Sequence, residues 1–269
     1  MMRTALACSA LFLFALLTTG CAMTTQITPA VRSELAPSGK LRVGINHSNF
    51  LLVTPGSPHG SPKGVAPDLA LELGRRAGLP VEFASFDAAG KTADAIRDAL
   101  VDVGFIASEA ERANVIAFST AYLELPATYL VPAGSPLRSL EEVDRPGVRI
   151  AVSGRSAYDL YLTRTLKHAQ LVRAEGIPAS FKLFVDQKLE ALAGLKPGLL
   201  ADVQKLPGAR LLDGQFTAVQ QSIGAPKKRS AAAKYLREFV EDAKRSGLVA
   251  QLVERHGVKG VNVAPPASS

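Results

Sequence analysis

Tryptophan is absent from this chain of 269 residues, and cysteine occurs only twice, at Cys8 and Cys21. Because both cysteines lie at the N-terminal end, the sequence predicts a domain without a disulfide, a cysteine nucleophile or a thiolate metal site. The GxSxG and HExxH motifs and the phosphate-binding loop are also missing. We therefore expect no metal and no cofactor, and an enzyme is not the favoured interpretation.

Long basic runs interleaved with aromatic residues are missing as well, although the formal net charge is +7. Nucleic acid is therefore not an expected partner. The excess of Lys and Arg favours an anionic ligand or an anionic membrane surface, or it only aids solubility. The length allows a full hydrophobic core in one large unit or two smaller ones.

The N-terminal stretch, residues 1–21, resembles a secretory signal peptide. A short positive region precedes an apolar core at Leu11–Leu17, which is too short for a comfortable membrane span. Cys21 follows Gly20 as in a lipoprotein cleavage site, although Thr18 stands where that pattern prefers Leu. Lipidation of Cys21 and ordinary cleavage after Ala22 both remain open. Either predicts an exported protein of the periplasm or cell envelope.

Strands and helices alternate after a polar segment at 22–40, which predicts a tether. From residue 41 to 107 the order is strand, helix, strand, helix, strand, which predicts parallel pairing with covering helices. The pattern changes after Tyr122. An amphipathic helix is predicted at Ala231–Ser246, and a disordered tail at 263–269.

Arg112 follows the predicted buried strand Val103–Ala107, where an open α/β sheet usually places a ligand contact. A solvated surface arginine is the alternative. The loop Asn46–Phe50 occupies the same position after the first strand, and turn chemistry explains its Asn and Ser residues equally well. The turn Ser153–Ser156 offers backbone N–H groups to an anion, or Ser156 only caps the next helix.

The segments LRVGIN, KGVAPDLALELGRRAG, Asp102–Tyr122, VRIAVSGRSAYDL and YLREFVEDAKRSGLVAQLVERHG occur in this order. Together they resemble the type II periplasmic solute-binding proteins that feed polar amino acids to ABC importers. The resemblance implies an α/β fold of two lobes joined by two crossover strands, periplasmic binding protein-like II. Lobe 1 would comprise 41–123 plus 224–262, and lobe 2 would comprise 124–223.

The resemblance also implies that a small ligand, anionic or zwitterionic, binds between closing lobes. In the family, the arginine at the position of Arg112 makes a bidentate bond to the ligand carboxylate. The implied partner is an inner-membrane ABC permease, and the implied state is a monomer with no membrane contact beyond a lipid anchor. The expected ligand-binding residues are Arg112, Asn46, Asn49, Phe50, Ala107, Ser108, Ser153, Gly154, Ser156 and Tyr158.

The chain departs from the family pattern at both walls of the implied site. Family members usually carry Thr shortly before the arginine, a region in which this chain has Ala107 and Glu109. In the second lobe, Glu190 falls on a structural acid and Leu195 falls about where the family places an Asp against the ligand ammonium. Either Asp186 or Glu109 supplies the missing acid, or the ligand is not an α-amino acid.

Two alternatives to a transport component remain open. An enzyme on the same fold, such as a dehydratase, would need an acid and a base that meet in the cleft, for which Glu109, Glu111 and His47 are candidates. A ligand-sensing lipoprotein without a transport role would bind its ligand in the same way.

Overall fold

The structure, a computed structural model, describes residues 27–54 and 61–267, and one sheet runs through this part of the chain. Its strands are β1 (Leu41–Asn46), β2 (Val81–Phe86), β3 (Val103–Ala107), β4 (Ile116–Phe118), β5 (Leu123–Val131), β6 (Arg149–Ser153), β7 (Gln170–Ala174), β8 (Ala191–Leu195), β9 (Arg210–Leu211), β10 (Thr217–Pro226) and β11 (Asn262–Val263). The helices are α1 (Pro29–Leu35), α2 (Val65–Ala77), α3 (Ala89–Arg97), α4 (Ala157–Thr165), α5 (Ile177–Asp186), α6 (Lys196–Val203), α7 (Ser230–Arg245) and α8 (Leu248–Arg255).

Parallel strands form the two ends of the sheet, and an antiparallel pair joins them. The order is β2-β1-β3-β10-β5-β8-β6-β7. In one half β1 pairs in parallel with β2 and β3, and in the other β6 pairs in parallel with β7 and β8. All five residues of β3 and all five of β8 are buried, as expected for parallel strands covered on both faces. We refer to the half that contains β1–β3 as lobe 1 and to the half that contains β6–β8 as lobe 2.

The long strands β5 and β10 carry the chain from one lobe to the other. Residues 123–127 of β5 pair with residues 217–221 of β10. Beyond this shared segment β5 continues along β8 of lobe 2, whereas β10 continues along β3 and β4 of lobe 1. Two antiparallel strands therefore form the hinge.

An arginine–carboxylate clamp ties the first strand of lobe 1 to the residue that precedes β3. The backbone N–H and Nε of Arg42 donate to Asp102 Oδ2 at 3.0 Å, and Nη2 donates to Oδ1 at 2.8 Å. Nη2 also reaches the carbonyl oxygen of Ala99 at 3.1 Å. Arg229 adds a bond to Asp102 Oδ1 at 2.8 Å. Burial alone would raise the pKa of Asp102, but the hydrogen bonds from Arg42 and Arg229 outweigh it and hold the pKa below its ordinary value.

Lobe 2 repeats the clamp. The backbone N–H and Nε of Arg149 donate to Glu190 Oε2 at 2.8 and 2.9 Å, and Nη2 donates to Oε1 at 2.8 Å. Nη2 again reaches a backbone carbonyl, that of Lys188, at 3.1 Å. Lys188 and its counterpart Ala99 are two of the three non-glycine residues with positive φ in the described chain. Each lobe is thus built on the same strand–acid contact.

The C-terminal region returns to lobe 1. Helix α7 packs against α1, and α8 packs against α2. The buried face of α7 contains the residues that its sequence pattern predicts: Tyr235, Leu236, Phe239, Val240 and Ala243. Strand β11 then pairs with residues 123–124 of the hinge strand β5, and Ala264 behind it is buried.

Both terminal segments are more ordered than their composition suggests. Within the predicted tether, Pro29–Leu35 is helix α1, capped by the Thr28 side chain, with Val31 and Leu35 buried. Within the predicted disordered tail, the Ala264 N–H donates to the Tyr122 carbonyl at 3.2 Å. The predicted signal peptide and Cys21 lie outside the described residues.

We expect substitutions in the two clamps to lower the stability of the fold by different amounts, because the two acidic side chains differ in burial. The Asp102 side chain is 0% exposed and that of Glu190 is 36% exposed. Asp102→Asn should lower the free energy of unfolding in urea by about 3 kcal/mol, because it leaves buried donors without a charged acceptor. Glu190→Gln, the matched control, should cost clearly less, since solvent screens that pair.

We also expect the stability lost in Asp102→Asn to depend on pH. A carboxylate with a lowered folded-state pKa stabilises the fold fully above its unfolded value, 3.8 for Asp102, and this contribution is lost as the pH falls toward the folded value. The difference in stability between the unmodified chain and Asp102→Asn should therefore shrink below pH 3.8. Equal losses for the two variants at neutral pH would contradict the role assigned to burial.

Candidate functional site

A cavity lies between the two lobes, at the carboxyl ends of β1 and β3 on one side and of β6 and β8 on the other. Side chains of the hinge strand β10, Val219 and Gln221, contribute to its lining. The volume open to the centre of a water molecule is about 40 Å³. This is the position at which open α/β sheets bind ligands.

Arg112 is the only charged residue among the described residues that line the cavity. It opens the 3-10 turn Arg112–Asn114, and 6% of it is exposed. Its Nη1 donates to the carbonyl of Ala107 at 2.8 Å, and its Nη2 donates to the carbonyl of Arg155 in lobe 2 at 2.6 Å. Burial lowers the pKa of Arg112 to about 10, so the side chain stays cationic at neutral pH.

Within the described chain no carboxylate lies within salt-bridge distance of Arg112, although most other arginines have such a partner. An arginine side chain has five N–H donors, and only two nitrogen atoms of Arg112, Nη1 and Nη2, donate to carbonyl oxygens. A buried cation without an acidic partner is costly. The cavity therefore presents an unpaired positive charge.

The carbonyl that Arg112 reaches belongs to a residue in the left-handed backbone conformation. Arg155 has φ of +57°, an unusual value for a side chain of its size, within the turn Ser153–Ser156. Its own guanidinium crosses to lobe 1 and pairs with both carboxylate oxygens of Asp94 at 2.8 Å. Arg155 thus joins the lobes through its backbone and its side chain.

Further ion pairs bridge the lobes at the rim of the cavity. Arg164 of α4 makes a bidentate pair with Glu109 at 2.7 Å. Lys91 of α3 pairs with Glu175. In the described structure these ion pairs therefore hold the two lobes against each other at the rim.

The backbone N–H groups of the turn Ser153–Ser156 are already engaged in lobe 2. Gly154 donates to Ala174 O at 2.8 Å, Arg155 to Asp159 Oδ2 at 2.7 Å, and Ser156 to Ser153 O at 3.1 Å. The Ser156 hydroxyl also accepts from the Asp159 N–H, which is the predicted helix cap. What the turn presents to the cavity is therefore its serine side chains.

Three buried polar atoms on residues that line the cavity have no hydrogen-bond partner. They are Asn49 Oδ1 and the hydroxyl groups of Tyr122 and Tyr158. Burial raises the pKa of Tyr122, and it raises that of Tyr158 to about 12 even though Ser156 and Ser153 beside it act in the opposite direction. Buried polar groups are normally paired, so these three atoms are unusual, although each is itself shielded from solvent in this structure.

The sequence over residues 41–259 matches the bacterial extracellular solute-binding proteins, family 3. The chain belongs to this family. No curated protein sequence matches it. The match covers both lobes and most of the C-terminal region, and it confirms the two-lobed α/β class predicted for this solute-binding protein.

Solved structures share the fold at low identity. A mutant of ArgBP from T. maritima is 21% identical, over 85% of this chain and 99% of its own, with a TM-score of 0.71. A solute receptor for L-cysteine of Neisseria gonorrhoeae is 18% identical, over 86% and 95%, with a TM-score of 0.73. An ancestral amino-acid-binding protein, described as a precursor of cyclohexadienyl dehydratase, is 21% identical, over 83% and 98%, with a TM-score of 0.69.

Most of the residues predicted to bind ligand come together in the solute-binding protein. Those that line the cavity are Asn46, Asn49, Ala107 and Arg112 from lobe 1, and Ser153, Ser156 and Tyr158 from lobe 2. Asn46 also shows the turn chemistry that was the alternative, because its Oδ1 accepts from the Ser48 N–H at 3.2 Å and from the Ser48 hydroxyl at 2.8 Å. Contact of any of them with a ligand stays a prediction.

Three predicted residues are not brought to the cavity. Phe50 is 45% exposed and packs over Gly198 of lobe 2 at a neighbouring cleft. Ser108 turns toward the hinge, where its N–H donates to the Gln220 carbonyl at 2.9 Å. Gly154 lines a separate surface cleft. Each of these positions is taken by a contact that the local sequence does not reveal.

Three polar residues of the lining are absent from the expected set: Ser48, which lies within the predicted loop Asn46–Phe50, Tyr122 and Gln221. Tyr122 is completely buried and meets the Phe105 ring edge-on, with ring centroids 6.0 Å apart. The sequence pattern marks it only as the end of the first lobe. Gln221 belongs to the hinge strand β10, where the run of polar residues Gln220-Gln221-Ser222 within a strand was the available signal.

None of the helices in the described parts of the chain has the length and apolar content needed to cross a membrane. Those parts also bring no group of three or more His, Cys, Asp or Glu side chains together as a metal site.

We expect added salt to weaken the contact between the two lobes, because ion pairs at the rim contribute to it. Glu109→Gln or Arg164→Gln should shift the ligand-free protein toward an open form at low ionic strength, because each removes a charge pair that spans the cleft. The double variant should shift it no further than either single variant does. Small-angle X-ray scattering measures the change as an increase in the radius of gyration.

Lys182→Gln is the matched control, since Lys182 pairs with Asp186 within α5 and spans no cleft. Its scattering curve should equal that of the unmodified protein at every salt concentration. An additive effect of the two cleft substitutions would show that Glu109 and Arg164 act independently rather than as a pair.

Proposed function

We propose that this protein is the substrate-binding component of an ABC importer and captures a small carboxylate-bearing solute between its two lobes. The observation that carries the proposal is the buried guanidinium of Arg112, without a carboxylate partner, in a cavity between the lobes. Membership of the solute-binding family and the two-stranded hinge support it.

A carboxylate fits this site for electrostatic and geometric reasons. It neutralises the buried charge, and its two oxygens match the fork of N–H donors on a guanidinium. Each charge-assisted bond of this kind contributes about 1.5–3 kcal/mol. Ser153 and Ser156 present hydroxyl groups from the opposite lobe, so a bound carboxylate would contact both lobes at once.

Closure around the ligand follows from the hinge. Lobes that are joined by two strands rotate about them, which buries the ligand and hides it from water. In the proposed role the closed form, with its rim pairs assembled, is what the membrane permease recognises. A sensing role would use the same closure with a different membrane partner.

An enzymatic role finds no support in the cavity. No Asp, Glu, His, Lys or Cys is found among the described residues of its lining. Of the candidates for acid–base chemistry, Glu109 is paired with Arg164, and neither Glu111 nor His47 lines the cavity. Tyr158, with a pKa raised to about 12, is a poor base at neutral pH.

The proposed location is the periplasm or cell envelope. The family is described as extracellular, and residues 1–21 carry the signal-peptide pattern ahead of the matched region. We propose lipidation at Cys21 as the means of anchoring, with ordinary cleavage after Ala22 as the alternative outcome. Metabolic labelling with a radioactive fatty acid separates the two, since only the lipoprotein retains the label.

The carboxylate site predicts that Arg112→Ala abolishes ligand capture. A thermal-shift screen of amino acids, keto acids and small carboxylates would first identify a ligand, because a ligand that binds only the folded state raises the melting temperature. Calorimetry with that ligand should then show a loss of affinity of at least about 100-fold for Arg112→Ala, since two charge-assisted bonds are removed.

Arg145→Ala is the control, because Arg145 pairs with Glu142 on the surface of lobe 2. Its affinity should match that of the unmodified protein. Unchanged affinity of Arg112→Ala for the same ligand would remove Arg112 from the site and with it the basis of the proposed function.

A further inference from the structure

The cavity contains one fixed positive charge and no negative one. Its lining in the described chain includes Arg112 but no Asp or Glu. A bound monocarboxylate brings the buried charge to zero. A zwitterionic amino acid leaves it at +1, with an ammonium that no carboxylate of the lining can pair. Burying an unpaired charge is strongly unfavourable, so the two ligand classes differ in the balance of charge.

No acidic side chain on the described surrounding elements fills this gap. Glu111, which precedes Arg112, is exposed and outside the lining, and basic side chains already engage the other acids. The pairs are Asp94 with Arg155, Glu109 with Arg164, Asp159 with Arg173, Asp186 with Lys182 and Asp202 with Lys205. Asp186 and Glu109, the two acids that the sequence offers as substitutes, are both in this set and outside the lining.

Leu195 occupies the wall where lobe 2 could have supplied an acid. It is the last residue of β8, it is 6% exposed, and it lines the cavity. A neighbouring cleft of about 10 Å³ shares Leu195 and Tyr158 with the cavity, and Asp202 lines that cleft but bonds Lys205 at 2.7 Å. The aliphatic side chain of Leu195 offers nothing to a cation.

The unpartnered polar atoms of the lining are neutral. Asn49 Oδ1 accepts a hydrogen bond, and the Tyr122 and Tyr158 hydroxyls both donate and accept. The other polar side chains of the lining, such as Ser153, Ser156 and Gln221, are neutral as well, and an uncharged hydroxyl or carbonyl group on the ligand pairs with such side chains without adding charge. The volume of about 40 Å³ open to the centre of a water molecule suits a small ligand, since roughly 10–15 Å³ on this measure holds one water.

We propose that the ligand of this site is a small monocarboxylate whose second polar group is an uncharged hydroxyl or carbonyl, and that Leu195 determines the exclusion of α-amino acids. This inference rests on the proposed function, because it takes the Arg112 site as the ligand site. It narrows the ligand class from any carboxylate to 2-hydroxy and 2-oxo acids of three or four carbons.

Calorimetry at neutral pH with two matched series tests the inference on the unmodified protein. The series are lactate, pyruvate and alanine, and 2-hydroxybutyrate, 2-oxobutyrate and 2-aminobutyrate. Within each series the three molecules differ only at carbon 2. The hydroxy or oxo acid should bind roughly 100-fold more tightly than the amino acid, as expected when one partner of a buried charge pair is missing.

Leu195→Asp should reverse this order, because it adds to the cavity the carboxylate that an ammonium requires. Leu195→Asn is the control of similar shape without charge, and it should keep the preference of the unmodified protein. The melting temperature of each variant shows whether it is folded. Asp202→Asn should leave the preference unchanged, whereas a loss of amino-acid binding in this variant would overturn the inference by identifying Asp202 as the ammonium partner.

The outcomes separate the inference from the proposed function. If alanine or 2-aminobutyrate binds at least as tightly as its deaminated partners and Arg112→Ala abolishes that binding, the inference fails and the proposed function stands. The same holds if only a larger amino acid binds in an Arg112-dependent manner. If no carboxylate binds at all, or if binding is independent of Arg112, both fail.

Discussion

A buried guanidinium without a counter-ion is the constraint on which the site depends. Arg112 is held by two carbonyl oxygens, one from its own lobe and one from Arg155 of the other lobe. Arg155 presents its carbonyl from a left-handed turn and sends its side chain to Asp94. Asp94 thereby neutralises a second cation beside Arg112, where like charges would otherwise repel. Cation, turn and rim pair are therefore one connected electrostatic unit that exists only when the lobes meet.

The internal structure of each lobe does not depend on contact with the other lobe. Each has its own strand–acid clamp, in which the arginine uses the same three donors, although Arg229 adds a bond to Asp102 that Glu190 lacks in the described chain. The shared geometry also fixes equivalent positions, because five residues after Asp102 the strand β3 ends at Ala107, and five residues after Glu190 the strand β8 ends at Leu195. Both strand ends line the cavity. Opening the cleft leaves the clamps and the hinge pairing of β5 with β10 intact, so the movement costs rim contacts rather than core contacts.

Sequence patterns predicted features that depend on neighbouring residues, such as helices and strands, and missed features that depend on contacts between distant parts of the chain. The alternation of strands and helices, the buried face of α7 and the position of Arg112 at a strand end follow from periodicity and from the geometry of open sheets. Helix α1 and strand β11 were not predicted, because the segments that form them have the composition of loops. Both elements depend on packing partners, α7 for α1 and β5 for β11. The orientation of the Tyr122 hydroxyl and the pairing of Glu109 with Arg164 depend on contacts between residues far apart in the chain. No single-sequence pattern encodes such contacts.

Rim and cavity contribute differently to the closing equilibrium. The rim pairs Glu109–Arg164 and Asp94–Arg155 form whenever the lobes approach, whatever lies between them, so they favour closure without selecting a ligand. Burial of Arg112 without a carboxylate opposes closure of the empty protein. Under the proposed function, a ligand shifts this equilibrium by the difference between its affinities for the closed and open forms, and the carboxylate supplies that difference because it removes the cost of the buried cation. An ammonium on the same ligand would restore part of that cost. Under the proposed function, the charge of the lining would therefore select the ligand through the free energy of closure, while the rim pairs would set only how readily the empty protein closes.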